Sequence, residues 1–106
     1  MNKATRGIYV VRTGEYIKFG YTKNWEQRKA AYITSNPMIE FVGFIATYKK
    51  TGRTLETAIH KELRDKGYQF NQKDGVKTEW VYMPNMDDNA VITLVSSIKN
   101  RKVMRL

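Results

Sequence analysis

The stretch GIYVVRTGEYIKFGYT, residues 7–22, decides how the chain is read. Two runs rich in β-branched and aromatic residues, Ile8 to Arg12 and Tyr16 to Tyr21, flank the turn Arg12-Thr13-Gly14-Glu15. That pattern predicts an antiparallel β-hairpin. Side chains alternate across a strand, so Gly7, Tyr9 and Val11 share one face, opposite Ile8 and Val10. On the second strand Tyr16, Lys18 and Gly20 oppose Ile17, Phe19 and Tyr21. The Ile/Phe set is the core set. Tyr9 and Lys18 are therefore expected together on the outer face, beside a glycine where a backbone or a ligand can approach closely. Two readings follow: a tyrosine and a lysine on a solvated sheet, or a phenol and an ammonium presented to a phosphate.

Working outward, Thr22 or Asn24 can cap a helix that runs to about Ile33 and stops at Ser35-Asn36-Pro37. The next run, MIEFVGFIATY, is apolar on both faces, which predicts a central strand. Thr51 precedes a helix through Lys66, closed by Gly67, with Leu55, Ile59 and Leu63 as its buried stripe. A polar, glycine-bearing loop leads to a short strand, Thr78 to Met83, broken by Pro84-Asn85. The last helix is expected from about Asp87 to Asn100, with acids in its first turn and Lys99 and Arg101 at its end, as the helix dipole favours. Its apolar face is Val91, Leu94, Val95 and Ile98. The outline is an α+β fold in the order ββαβαβα: a small three-stranded antiparallel sheet, plus a short later strand, flanked by helices. Residues 1–100 form one domain, followed by a basic tail, 101–106.

The 106 residues include nineteen Lys and Arg against ten Asp and Glu, a formal net charge of +9. A surplus of that size on so small a body favours a polyanionic partner, above all nucleic acid. An anionic membrane surface would call for a basic amphipathic helix with a broad apolar face. No apolar run approaches the roughly 20 residues that span a bilayer. With no cysteine and one histidine, a disulfide framework, a thiolate zinc site and a His-rich metal site are excluded. The first residues, MNKATRG, lack the apolar segment of a signal peptide, and a cytoplasmic protein is expected.

Further candidates lie on the helices. Trp25, Arg28 and Tyr32, at spacings of three and four, share one face of the first. Arg28 offers a planar fork of donors suited to phosphate oxygens, while Lys23 and Lys29 extend the basic surface. Trp25 is either a packing anchor or a base-stacking platform. On the middle helix Glu56 and His60 stand one turn apart at the margin of the buried stripe. A carboxylate there can hold Mg²⁺ with waters in the remaining positions, or the pair can be a local hydrogen bond. Glu79, before Trp80, is a second acid whose position relative to Glu56 the sequence does not give.

Taken in order, these residues resemble the GIY-YIG nuclease family. Gly7-Ile8-Tyr9 stands as the first motif and Lys18-Phe19-Gly20 in the place of the second. Arg28 follows at the family's interval, and Glu56 sits on a later helix. The pattern is closest to a phage and bacterial branch whose second motif reads Lys-Ile-Gly. Asn36-Pro37, Leu55-Glu56 with His60, and Glu79-Trp80 continue it, so that the likeness covers Gly7 to about Tyr82. Many members have tyrosine where Lys18 stands, and histidine where Tyr32 stands.

What the resemblance implies is hydrolysis of a DNA phosphodiester with one divalent ion, Mg²⁺ or Mn²⁺. Tyr9 would be the general base, with Lys18 beside it to favour the phenolate. Arg28 would stabilise the pentacovalent phosphate, and Glu56 would hold the metal. DNA contacts would come from Lys23, Trp25, Arg28 and Lys29, with Tyr32, His60 and Glu79 as secondary site residues. A phage or mobile-element origin would place the protein in a bacterial cytoplasm. Two other classes stand beside the endonuclease: a basic DNA-binding module without turnover, and an interaction domain for an acidic protein. A homodimer or a protein partner is left open.

Overall fold

The hairpin forms as its alternation requires, and the rest of the sheet is built on both of its edges. The computed structural model describes residues 5–48, 51–73 and 76–103. Strands β1 (Gly7–Thr13) and β2 (Tyr16–Thr22) pair antiparallel, with Tyr9 opposite Gly20 and Val11 opposite Lys18. Gly14, the first of the two loop residues, has φ +59°. A glycine in that place suits the tight turns whose twist matches the flanking strands. Helix α1 (Trp25–Ser35) follows, capped by Asn24, whose side chain accepts from the Gln27 amide at 3.1 Å.

Strand β3 (Glu40–Ala46) then pairs with β1 rather than entering the middle of the sheet. After α2 (Gly52–Asp65) the chain makes a second hairpin, β4 (Gln69–Lys73) and β5 (Val76–Tyr82), and ends the described residues with α3 (Asp88–Val103). The sheet order is β3-β1-β2-β5-β4, and every pairing is antiparallel.

The α+β class holds, with three differences from the sequence-based expectation. The sheet has five strands, in the element order ββαβαββα. The segment expected to be a polar loop contains β4, an edge strand that anchors itself through half-buried Phe70 and leaves its Gln and Asn side chains outside. Edge strands tolerate polar residues because one margin faces solvent. Strand β3 is an edge strand despite its apolar composition. It is apolar on both sides because both sides of the sheet are covered, and a register shift opposite Val10/Val11 brings Phe41 and Phe44 to the same side. Finally, α3 continues to Val103, so the expected tail begins within a helix, and 104–106 lie outside the described residues.

Two cores result. On one side Ile8, Val10, Ile17, Phe19 and Val81 pack against the α2 stripe Leu55, Ile59 and Leu63 and against Val91, Val95 and Ile98 of α3. Helix α2 ends at Gly67, φ +85°, with Tyr68 N–H donating back to Leu63. Helix α3 starts where the Asp87 carboxylate accepts from the Ala90 amide at 2.8 Å. Its entry is tied to β1 by Arg12, which donates to the Met86 carbonyl and lies 3.3 Å from the Asp88 carboxylate. On the other side a second, aromatic cluster forms from Tyr9, Val11 and Ile39 with Trp25, Tyr32, Phe41, Phe44 and Trp80. The face expected to be outer is therefore covered over β1, because α1 lays its aromatic residues across it. Tyr9 is 3% exposed.

Candidate active site

Tyr9 and Lys18 do share a face, as strand alternation requires. The Tyr9 ring lies across the adjacent strand, over Gly20: a Cβ built on that glycine would stand 2.3 Å from the phenol carbon and oxygen. No side chain fits there, so Gly20 is what lets the phenol reach over β2. The other flank of the ring is held by stacking on Trp25, centroids 5.6 Å apart at 12°. Trp25 in turn stacks on Phe44 at 5.4 Å and meets Phe41 edge-on. Packed on Tyr9, Phe44 and Phe41 and half-buried, Trp25 anchors α1 to the sheet.

Tyr32, about two turns along α1 from Trp25, shares a hydroxyl–hydroxyl hydrogen bond with Tyr9 at 3.3 Å and meets the ring edge-on. The Lys18 ammonium stands 5.8 Å from the Tyr32 ring centre and 3.5 Å from the Glu79 carboxylate. Burial pushes the Tyr9 phenol above its ordinary range, the Tyr32 hydroxyl adds to that, and the nearby Arg28 guanidinium works against it. Glu79 acts in the same direction as burial. The free protein thus holds Tyr9 neutral, with Arg28 the charge poised to favour its anion. Arg28 is exposed on α1, as are Lys23 just before it and, in part, Lys29, which lies over the Phe41 ring at 5.4 Å.

Glu56 enters from the far side of the sheet, on α2. Strand β5 pairs with β2 only from Tyr16 to Lys18, opposite Tyr82 to Trp80. Beyond Lys18 the edge of β2 has no strand neighbour among the described residues, and its backbone groups need other partners. Helix α2 supplies them with side chains. The Tyr21 N–H donates to Glu56 Oε2 at 3.1 Å, and the Phe19 carbonyl accepts from His60 Nε2 at 3.0 Å. The i,i+4 spacing of Glu56 and His60 matches the i,i+2 spacing of the two backbone groups on that edge. His60 is further held against Phe70, ring centres 6.0 Å apart.

So the two faces meet at one notch. The Tyr9 oxygen rests on Gly20 from one side, and the Glu56 carboxylate holds the next residue's amide from the other. Glu79 borders the notch through Lys18. The sequence offered Tyr9, Lys18 and Glu56 separately; what it could not show is that β5 leaves β2 at Lys18, which opens the notch and gives Glu56 and His60 their backbone partners.

A divalent ion has one carboxylate to meet here. Among the described residues no group of three His, Cys, Asp or Glu side chains could hold a metal. His60 Nε2 is engaged by the Phe19 carbonyl. Glu56 is half-buried, with one carboxylate oxygen accepting from the Tyr21 N–H. A single carboxylate with the remaining positions filled by water and phosphate fits the habit of Mg²⁺, which gives up its waters reluctantly. It would not fit a structural zinc, which needs a closed set of four.

The chain belongs to the T5orf172 domain family, whose model matches residues 6–99. No curated protein and no solved structure matches it. Among the described residues no helix is long and apolar enough to cross a membrane.

Proposed function

We propose that this domain is a metal-dependent DNA endonuclease of the GIY-YIG type, acting at the notch beside Gly20. The observation that carries the reading is the meeting of Tyr9 and Glu56 on one short piece of backbone, Gly20-Tyr21, from opposite faces of the sheet. A packed domain has no need to bring a phenol and a carboxylate to one break in its hydrogen-bonding edge. The family supports the same direction, T5orf172 being a phage-associated domain found in nuclease-related proteins.

In this reading the DNA phosphate lies against the notch, with the Arg28 guanidinium on its nonbridging oxygens. The Tyr9 oxygen takes the proton of a water that attacks phosphorus, and the bond from phosphorus to the leaving 3′ oxygen breaks. Tyr32 keeps the Tyr9 oxygen oriented through its hydroxyl. A base at this place must first lose its own proton, which burial opposes and cationic neighbours favour. Arg28 is that neighbour in the chain itself, with Lys18 on the same sheet face. Glu56 would hold the divalent ion, which when bound neutralises charge on the scissile phosphate and the departing oxygen.

A second reading has its own support. Burial keeps the Tyr9 phenol protonated, and Glu56 and His60 both serve the backbone of β2. Those features suit a DNA-binding module that retains the scaffold without turnover. Nicking of supercoiled plasmid with Mg²⁺ or Mn²⁺ separates the two. We expect wild type to nick, and Tyr9→Phe and Glu56→Gln to lose at least about a hundredfold, the scale of an acid–base or metal role. Binding without cleavage by all three proteins would establish the binding module instead. Cleavage that survives both substitutions would place the site elsewhere.

A further inference from the structure

The aromatic side of the sheet is covered only in part. Helix α1 overlies β1 and β3, whereas among the described residues no helix covers the half formed by β2, β5 and β4 on that side. There a cleft of about 540 Å³ is lined by Tyr16, Tyr82, Gln69, Phe70, Asn71 and Gln72. Tyr16 and Tyr82 are directly paired across β2 and β5, ring centres 5.4 Å apart at 51°, and Gln69 is paired with Tyr82 on the next strand. Tyr82 is 38% exposed, a large aromatic left facing solvent. The volume is of ligand-binding size.

We infer that this cleft binds an unpaired nucleobase, stacked on the Tyr16–Tyr82 pair and edged by the side-chain amides of β4. The inference rests on the nucleic-acid reading of the site, though not on cleavage. Every base offers a π-face, and aromatic residues on an open sheet are a recurrent way to hold one. Carboxamides carry both donors and acceptors, as base edges do. The local charge points to the base rather than the phosphate: the carboxylate of Glu15 stands beside the Tyr82 hydroxyl and would repel a phosphate there. Cations lie inward instead. Lys18 is two residues further along β2 on the same face, and the chain as a whole carries +9.

Position fits the proposed site. From Tyr16 to Gly20 is four residues of one strand, about 13 Å. That is about four nucleotides of stacked strand at 3.4 Å each. A single strand with a base in the cleft would then pass Lys18 and reach the notch without leaving the sheet face. The function added is a hold on unpaired bases a few nucleotides from the phosphate that is attacked.

The test is binding of a fluorescently labelled single-stranded 12-mer in excess chelator at low salt, read by anisotropy. Wild type is compared with Tyr82→Thr and Tyr82→Phe, each on a normal strand and on a strand of equal length that is abasic throughout. Tyr82→Thr should weaken binding to the normal strand about tenfold, the scale of one stacked base. It should make no difference on the abasic strand, and Tyr82→Phe should bind as wild type. Equal binding of the normal strand by wild type and a folded Tyr82→Thr would overturn the cleft and leave the nuclease reading intact. Failure of wild type to bind any strand, or plasmid DNA, would overturn both. Should Tyr82→Thr not fold, the two strands on wild type decide: equal affinity means phosphate contacts alone and sinks the inference.

Discussion

The two sides of the sheet are built from different materials. The side under α2 and α3 is mainly aliphatic, with Ile8, Val10, Ile17, Ile59, Leu63, Val81, Val91 and Val95 shielded from water around the single fully buried ring of Phe19. The side under α1 is a stack of rings, Tyr9 on Trp25 on Phe44, with Tyr32 and Trp80 at its border. Aliphatic side chains fill volume and carry no chemistry. Aromatic ones pack nearly as well and bring hydroxyls and polarizable faces to the surface of the sheet. The domain therefore separates its work: most of the aliphatic packing lies on one side and the phenol with its cationic neighbours on the other, while Glu56 of α2 reaches the edge they share.

That separation can be broken at graded cost. Leu63→Ala, in the aliphatic core, should lower stability by about 2–5 kcal/mol in denaturant titration, the range for a buried leucine that leaves a cavity. Gly20→Ala should cost about 1–3 kcal/mol by overpacking, because its methyl meets the Tyr9 ring. Cleavage should fall more steeply than stability, since the displaced group is the phenol itself. A Gly20→Ala protein as stable as wild type would mean that the ring does not rest where it is described.

At the notch, His60→Ala leaves the Phe19 carbonyl without its partner. A loss of about 1–2 kcal/mol is expected for an unsatisfied, partly buried backbone group. No loss would show that water takes the histidine's place. Lys18→Met should cost less than about 1 kcal/mol, because its ion pair with Glu79 is half in solvent. Its effect belongs in cleavage and in DNA affinity.

A last effect is confined to alkaline pH. The Tyr9 phenol is held above its ordinary value, so the folded state keeps its proton after the unfolded chain has begun to lose it, near pH 10. Stability conferred by the neutral phenol is complete below that pH and declines as pH rises through the folded value. Tyr9→Phe should flatten this part of the stability profile. An unchanged alkaline slope would mean that the phenol titrates as an exposed tyrosine does.

Local rules account for how much of this was legible. The first hairpin follows from strand alternation and a glycine turn. The α2 stripe, the Asn24 cap and the Gly67 stop follow from spacing and capping, and each is found in place. Tyr9 and Lys18 on one face follow from the same alternation, and Trp25, Arg28 and Tyr32 on one face of α1 from helix periodicity. The remainder depends on what lies across the sheet. Composition cannot tell a central strand from an edge strand covered on both sides, and β3 is the latter. Glutamine and asparagine do not announce β4, whose place is set by its pairing with β5. Glu56 and His60 could be placed at the margin of a helix, but their partners are backbone groups of a strand more than thirty residues earlier in the chain, and those are open only because β5 turns away.

The bond between His60 and Phe19 has a consequence for proton placement. A carbonyl oxygen can only accept, so Nε2 of the imidazole must carry a hydrogen. The neutral ring is thereby fixed as one tautomer, its lone pair confined to Nδ1. A strand that lacks a neighbour thus dictates, through one carbonyl, which nitrogen of the protein's single histidine is left to exchange a proton. The ¹⁵N shifts of that ring would read the geometry of the strand edge.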